Sequence, residues 1–332
     1  MMDIVFHSSD LFSEILYVSI YSIIKNNQET QINFHIVEHG ISASNQKKLE
    51  DLCNKYNKHI FFYPMPDFAQ FGMELKVVRK RWAFDSFSRM YLGTILPKDI
   101  NRVLYLDCDV ICDGSLDELY NMDLGDNIVA GVNDCLSKYY YDFFHLNENH
   151  RYHNSGVLLI DLEKYRNEKI EEKVTKFMND NHGYVFFMEQ TVVNVVLKDR
   201  FLNLDLKYNY YSMAAALSYR KLKMLRHPYN YYSKEEYEEA RKNPVLIHFT
   251  SSFLLVNRPW FNKCNHPLKS IFHKYAEEVG FEFWHTHRKS SKVLQQFFIK
   301  ITPKFILFPI ISILYNPIRI YRIKKAGGMI HE

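Results

Sequence analysis

Short apolar runs alternate with amphipathic ones along most of the chain, and their periods predict strands alternating with helices. "DIVFHSS" (residues 3–9) is an apolar strand that runs out into small polar residues, where Ser9 or Asp10 can cap a following helix. In that helix Leu11, Ile15, Val18 and Ser19 recur at helical spacing. "INFHIV" reads as a strand, "ASNQKKLEDLCNKY" as a helix and "HIFFYP" as a strand. A third helix is expected from Asp85 to Ile95, ended by Pro97, and "RVLYLD" is the next strand. Farther on come strand candidates "NIVAGV" and "NSGVLLIDL", a helix "LEKYRNEKIEEKVTKFMND", a shorter helix "MEQTVVNVVLK" and a strand "VLIHF". Strands and helices in this alternation predict an α/β protein whose mostly parallel sheet is covered on both faces.

Beyond Trp260 the character changes. "HPLKSIFHKYAEEVG" is one more amphipathic helix, and no acidic residue lies between Glu282 and Glu332. The basic residues Arg288, Lys289, Lys292, Lys300, Lys304, Arg319, Arg322, Lys324 and Lys325 make that tail a separate electrostatic region. Its apolar run from Phe305 to Tyr315 is broken by Pro309 and ends before Pro317, short of the roughly 20 residues a spanning helix needs. Basic flanks around such a run fit a segment lying in the headgroup region of an anionic membrane, or else a helix packed on the catalytic body or a dimer partner. The expected division is residues 1–265 as a catalytic domain and 266–332 as a helical, basic, membrane-associating extension.

Composition narrows the field without deciding it. With 47% hydrophobic and 24% charged residues the chain is globular rather than disordered, and a net charge of +4 over 332 residues is too small to imply nucleic-acid binding. Five scattered cysteines without a CxxC pair support neither a disulfide framework nor a zinc finger, and fit a reducing compartment. The opening "MMDIVFHSSD" has no basic leader and reads as a first strand rather than a signal peptide.

The chemistry concentrates in "RVLYLDCDVICDG" (102–114). If its strand continues to Asp109, then Asp107 and Asp109 point to one side and Cys108 to the other. Ligands of open α/β sheets bind beyond the carboxyl ends of strands, and paired carboxylates there suit Mg²⁺ or Mn²⁺. A calcium-hand loop fits poorly, since Ile111 and Cys112 stand at its fifth and sixth positions. Capping of a strand end, continued by Asp113 and Gly114, is the bland alternative.

Four further blocks occur in order with this one: "DIVFHSSD", "HNSGVLLIDL", "FFMEQTVVN" and "VLIHFTSSFLLVNRPW". Together they resemble family 8 glycosyltransferases, the bacterial lipopolysaccharide galactosyl- and glucosyltransferases and their relatives, over roughly residues 2 to 265. The resemblance implies a Rossmann-like, GT-A type nucleotide-diphospho-sugar transferase fold and transfer of galactose or glucose from a UDP-hexose with retention of configuration. It implies Mn²⁺ or Mg²⁺ held by Asp107, Asp109 and His248, and a glycan or glycolipid acceptor such as lipopolysaccharide, capsule or a lipid-linked oligosaccharide. Such an enzyme is expected in the cytoplasm, peripheral at the inner face of a bacterial plasma membrane.

Carried over residue by residue, the resemblance puts His7, Ser8, Ser9 and Phe12 at the uridine, and Arg89 near the sugar and diphosphate. Asn154, Ser155 and Gly156 fall at the sugar, as does the DxD stretch, Cys108 included. Asp134 matches an acid near sugar or acceptor, Glu189 a sugar-hydroxyl ligand, and Gln190 the amide below the anomeric carbon. The chain departs from its relatives at Ser9, where an acid is common, at Leu11, where an Asn is common, and after His248, where Arg258 replaces a phosphate-binding lysine. Those departures motivate a second reading, a catalytically weak UDP-sugar-binding relative; a membrane-binding scaffold is a third.

Overall fold

The computed structural model describes residues 1–72, 86–183, 185–250, 256–285 and 302–325. Among the described residues ten strands fall into two sheets. The larger is built from β1 (Met2–Ser9), β2 (Ile32–His39), β3 (His59–Pro64), β4 (Arg102–Leu106), β6 (Val129–Asn133), β7 (His153–Asp161) and β8 (Phe201–Leu204), in the order β3-β2-β1-β4-β7-β6-β8. β1 lies parallel to both β2 and β4, with Ile4 opposite Leu104 and Phe6 opposite Leu106. β2 and β3 are parallel, as are β6 and β8, while β7 runs antiparallel to both its neighbours. The expectation of a mostly parallel sheet holds, and β7 is the exception that brings "HNSG" back to the end where β4 stops.

Burial follows from position in this order. Central strands are apolar on both faces, with Ile4, Val5, Phe6, Val103, Leu104, Tyr105 and Leu106 all buried. Helices α1 (Ser13–Asn26) and α2 (Ala43–Lys55) cover one end of the sheet, and α1 is buried along most of its length. Leu11, expected on the inner face of the first helix, instead lies exposed in a 3-10 turn, Asp10–Phe12, that precedes it. Ser9 makes no capping bond, and Asp10 accepts from the Ser42 N–H (2.8 Å) and Asn45 Nδ2 (2.8 Å) at the start of α2.

A second, three-stranded sheet was not anticipated. It consists of β5 (Val110–Cys112), β9 (Tyr210–Tyr211) and β10 (Leu246–His248), ordered β5-β10-β9. β10 is antiparallel to β5, with His248 opposite Val110, and parallel to β9, with His248 opposite Tyr211. The outer edge of β5 is satisfied by α1: Ser19 Oγ donates to the Val110 carbonyl (2.7 Å), and Ser22 Oγ accepts from the Cys112 N–H (3.0 Å). Ser19 and Ser22, buried on α1, therefore have partners in a strand edge that would otherwise be bare.

Two helical expectations change. Asp85 lies outside the described residues, and the segment to Ile95 is a 3-10 turn, Ser86–Met90, followed after Tyr91 by one helical turn, Leu92–Ile95. "LEKYRNEKIEEKVTKFMND" forms two helices, α3 (Leu162–Asn167) and α4 (Ile170–Asp180), separated by left-handed Lys169 (φ 53°). In one continuous helix Ile170, Val174 and Met178 would drift round from the face of Leu162 and Tyr165; the break returns all of them to the core. Helix α5 (Met188–Val196) follows left-handed Phe187 (φ 60°), and its own first residue, Met188, also has positive φ (53°).

Helix α6 (Tyr219–Arg226) and helix α7 (Lys269–Glu278) follow, and α7 buries Phe272, Tyr275 and Ala276 in the main core. The last described segment stays helical through both prolines. Helix α8 (Lys304–Ile313) contains Pro309, and a wider π turn, Leu314–Ile318, takes up Pro317, which cannot donate a backbone bond. Its inner face buries Phe308, Ser312, Asn316 and Ile320. Asn316 Nδ2 donates to the Leu225 carbonyl (2.8 Å), Tyr140 Oη to the Tyr315 carbonyl (2.9 Å), and the Arg319 guanidinium lies 4.8 Å from the centre of the Phe186 ring. Ile306, Ile310, Ile313, Leu314 and Tyr321 are exposed. Among the described residues no helix is long and apolar enough to cross a membrane.

His153 is buried on β7 and stacked on Phe201 (4.2 Å between centres), with neither ring nitrogen bonded. Burial, with Arg151 adding to it, pushes this imidazole down from 6.5 to about 3. Below pH 6.5 the unfolded chain binds a proton that the folded chain refuses, so stability falls as pH drops through that window and is unaffected above it. The limiting slope is about 1.4 kcal/mol per pH unit. His153→Phe should therefore lose less of its thermal midpoint between pH 7 and pH 5 than the parent; equal losses in paired melts would contradict a buried neutral ring.

Candidate active site

β4 ends at Leu106, one residue before the acidic pair, so strand alternation is not what brings Asp107 and Asp109 together. Residues 107–109 form a turn closed by the Val110 N–H on the Asp107 carbonyl (3.1 Å). The Asp107 N–H is in turn held by the Gly156 carbonyl (2.8 Å), and the Asp109 carbonyl by the Phe249 N–H (2.9 Å). β7 and β10 thus each fix one member of the pair.

His248, at the end of β10, completes the cluster. Its Nε2 lies 3.1 Å from Asp109 Oδ1 and 3.6 Å from Asp107 Oδ2. All three side chains offer ligand atoms within 4.8 Å of one another, a spacing that one cation can bridge. Gly156 makes this approach possible. A Cβ built there would lie 2.1 Å from His248 Cε1 and 2.8 Å from Asp107 Oδ2. Two hard carboxylates and an imidazole in this cradle fit Mg²⁺ or Mn²⁺.

Arginines compensate the carboxylates. Arg89 is 5% exposed; its Nη2 donates to Asp107 Oδ1 (2.9 Å), its Nη1 to the Ser155 carbonyl (2.6 Å), and its guanidinium lies over Tyr105. Burial alone would lower the Arg89 pKa, yet Asp107, Tyr105 and Glu189 together more than reverse this and hold the group firmly cationic. Arg258 places Nη2 3.2 Å from Asp109 Oδ2 and stacks over Trp260. Burial raises the Asp109 carboxyl, but His248 and Arg258 outweigh it and hold it below the ordinary carboxylate value. Residues 251–255, part of the block in which the chain departs from its relatives, lie outside the described residues.

Beside this cluster sits a set of amides and carboxylates. Asn154 Nδ2 donates to Gln190 Oε1 (3.2 Å), and Gln190 Nε2 to Asp134 Oδ2 (3.2 Å). Glu189 accepts from Ser86 Oγ (2.7 Å) and Ser155 Oγ (3.4 Å) and lies 3.8 Å from Arg89. One connected network therefore joins Arg89, Asp107, Asp109, Asp134, Asn154, Ser155, Gly156, Glu189, Gln190, His248 and Arg258. The first loop touches it through Cys108, whose thiol, pushed up by burial and so kept protonated, donates to the His7 carbonyl (2.8 Å). His7 itself is driven down to about 3 by burial, then by Arg89, and its Nε2 is unbonded. Ser8 is buried with its hydroxyl on the Ser9 carbonyl (3.2 Å). Phe12 meets Trp284 edge-on at 6.2 Å, away from the acidic pair's immediate partners.

Sequence reasoning missed Tyr105, Ser86 and Asn209. Tyr105 Oη donates to Asp107 Oδ1 (3.1 Å). Asn209 is fully buried and faces His248 Nδ1 (3.0 Å). Its signal was present in "LKYNYYSM": an amide inside an aromatic, strand-forming run needs a partner.

An acidic turn at the crevice of a mixed, mainly parallel sheet, framed by buried arginine and amides, is the architecture of a GT-A type glycosyltransferase. The chain belongs to glycosyltransferase family 8, whose model matches residues 3–264. It is 25% identical over 290 residues to General stress protein A of Bacillus subtilis strain 168, covering 86% of this chain and 95% of that protein. To the lipopolysaccharide 1,2-glucosyltransferase of Escherichia coli K12 it is 25% identical over 255 residues, 75% of this chain and 70% of that one. The crystal structure of the galactosyltransferase LgtC, in complex with donor and acceptor sugar analogues, shares the fold with a TM-score of 0.69 at 22% identity, covering 89% of this chain and all (100%) of that one.

Gly156→Ala should give a folded protein in which His248 is forced off the two carboxylates. Calorimetric titration with Mn²⁺ checks this: wild type should bind, and the variant should bind at least about tenfold more weakly. Equal affinities would show that the cradle is not what holds a cation.

Proposed function

We propose that this protein transfers a hexose, galactose or glucose, from a UDP-hexose to a surface-glycan acceptor such as lipopolysaccharide, capsule or a lipid-linked oligosaccharide, with retention of configuration. The observation that carries the reading is the convergence of Asp107, Asp109 and His248 beside Gln190 and Asp134. A divalent cation, Mn²⁺ or Mg²⁺, held by those three ligands supplies charge neutralisation to the departing diphosphate. Arg258 serves the same diphosphate in place of the lysine of relatives, since its guanidinium can grip phosphate oxygens bidentately. His7, Ser8, Ser9 and Phe12 serve the uridine, and residues 1–265 make up the catalytic unit.

The amides do the work at the sugar. Gln190 is fixed with its carbonyl oxygen toward Asn154 and the Ser155 N–H and its NH₂ toward Asp134. In that pose the oxygen stabilises positive charge developing on the sugar ring, a role that suits an amide better than nucleophilic attack does. Same-face attack follows: the acceptor hydroxyl gives its proton to the departing phosphate oxygen as the new glycosidic bond forms. Glu189, held by Ser86 and Ser155, and Asp134 keep acceptor lone pairs for sugar or acceptor hydroxyls.

The helical segment 302–325 is the proposed membrane contact, at the inner face of a bacterial plasma membrane. Its exposed Ile306, Ile310, Ile313, Leu314 and Tyr321 and its basic flanks suit insertion among anionic headgroups.

Incubation with Mn²⁺ and either UDP-galactose or UDP-glucose should release UDP, and Asp109→Ala should reduce that release by about a hundredfold or more. Tight UDP binding without any release would favour the catalytically weak relative, for which Ser9, Leu11 and the replaced lysine argue. In a vesicle-sedimentation assay the protein should pellet with anionic but not zwitterionic lipid, and Ile310→Asp with Ile313→Asp should abolish pelleting while leaving UDP release in solution unchanged. Undiminished pelleting of that double variant would remove the outer face of α8 from the contact.

A further inference from the structure

The hydrogen bonds around His248 fix one direction of donation through four side chains, and the direction is set at points where no choice exists. The Gly156 N–H can only donate, and it meets Asn154 at Oδ1 (3.0 Å). The Ser155 N–H can only donate, and it meets Gln190 at Oε1 (3.3 Å). Asn154 must therefore present its NH₂ to Gln190, and it does so at 3.2 Å. Asn209 approaches the same Asn154 oxygen at 2.8 Å, so the group it offers is its own NH₂. Its carbonyl oxygen is then what faces His248 Nδ1 at 3.0 Å. Two acceptors make no bond, so Nδ1 carries the hydrogen.

We infer that Asn209 is a positioning residue of the metal centre: it holds His248 as the Nδ1–H tautomer with Nε2 toward Asp107 and Asp109, and through Asn154 ties that ring to Gln190. The inference rests on the metal reading above and goes beyond it by assigning a role to a residue that touches neither cation nor donor. A histidine ligand needs its far nitrogen protonated and bonded so that the ligating lone pair is available and aimed. Asn209 is suited to the task because it is fully buried and is fixed from both sides, by β9, which begins one residue later, and by Asn154. Gly156 lies against the same edge of the ring, so the imidazole is located by a steric contact and a polar one together.

The chain of amides also gives the sugar and the cation a shared register. Gln190, Asn154 and Asn209 cannot reverse their amides singly or together, because the Ser155 and Gly156 N–H groups would then face donors. The same chain of bonds thus sets both the His248 tautomer and the Gln190 pose that turns its oxygen away from Asp134.

Two substitutions separate these effects, each measured by Mn²⁺ calorimetry, by melting in EDTA and by steady-state UDP release, with Asp109→Ala as control. Wild type should bind Mn²⁺ and Asp109→Ala should not; Mn²⁺ binding unchanged in Asp109→Ala would sink the metal reading itself. Asn209→Leu removes both bonds and should weaken Mn²⁺ binding about 10–100-fold. Asn209→Asp keeps an acceptor for Nδ1–H but cannot donate to Asn154. It should bind Mn²⁺ within a few-fold of wild type while kcat falls about tenfold and the donor KM stays near the parent value. If Asn209→Leu melts in EDTA like the parent and still binds Mn²⁺ with parental affinity, the positioning role is wrong. Should Asn209→Leu fail to fold, Asn209→Asp decides: loss of Mn²⁺ binding there, or parental kcat, overturns the proposal.

Discussion

Two carboxylates in one turn, facing the same crevice, are the constraint around which this molecule is arranged. At about 4 Å and an effective dielectric near 20, a pair of like charges costs about 4 kcal/mol. Arg89 and Arg258 each take one carboxylate, and His248 lies between them. Burying Arg89 is itself unfavourable, and it is tolerated because each of its three nitrogens donates to an oxygen: Asp107, the Ser155 carbonyl and the Ser86 carbonyl. Removing one partner from such a pair would leave a charge buried without compensation, which costs about 3–5 kcal/mol in typical proteins. The 3-10 turn that carries Arg89, the end of β4, the antiparallel β7 and the short β10 all have positions that follow from that arrangement.

Much of the fold was legible in the sequence where burial leaves a long signature. β1 and β2 begin and end within a residue or two of their apolar runs, because central parallel strands are apolar on both faces; β3, at the sheet edge, matches the run "HIFFYP" although none of it is fully buried. Of the second sheet only β10 was legible, as "VLIHF"; β5 and β9, of three and two residues, are too short for any period to show. The break at Lys169 was hidden because each half of "LEKYRNEKIEEKVTKFMND" is a good helix; only the shared core distinguishes two helices from one. Within the site, "DCD", "HNSG", "MEQ" and His248 stood out through their order along the chain. The pairing of Asp107 with Asp109 was inferred from alternation along a strand that in fact stops at Leu106, so that expectation was met through a different cause: a turn, pinned by two neighbouring strands. Asn209 escaped because a lone buried amide carries no motif.

The segment from 302 to 325 is joined to the site's surroundings more closely than its composition suggested. Arg319 stacks on Phe186 and reaches toward Phe187, the residues just before Met188, Glu189 and Gln190. Phe187 and Met188 have positive φ, which carries a cost for side chains with a Cβ, and Tyr140, Phe144 and the Arg319 guanidinium pack on the Phe187 ring. The last described segment thus meets the turn that precedes Gln190 through Arg319, Phe186 and Phe187.

The pairing of β10 with β5 has a consequence for how the molecule comes to be active at all. His248 meets Asp109 only when Leu246 lies opposite Cys112 and Ile247 opposite Ile111. A slip of one residue would turn the imidazole to the other face of the sheet and replace it with a neighbouring aliphatic or aromatic side chain. The two strands are far apart along the chain, so this contact is gained only after a long loop has closed. The turn alone brings only the two carboxylates together; the third ligand joins them only in a chain whose β5–β10 register is correct, so the complete set reports that register.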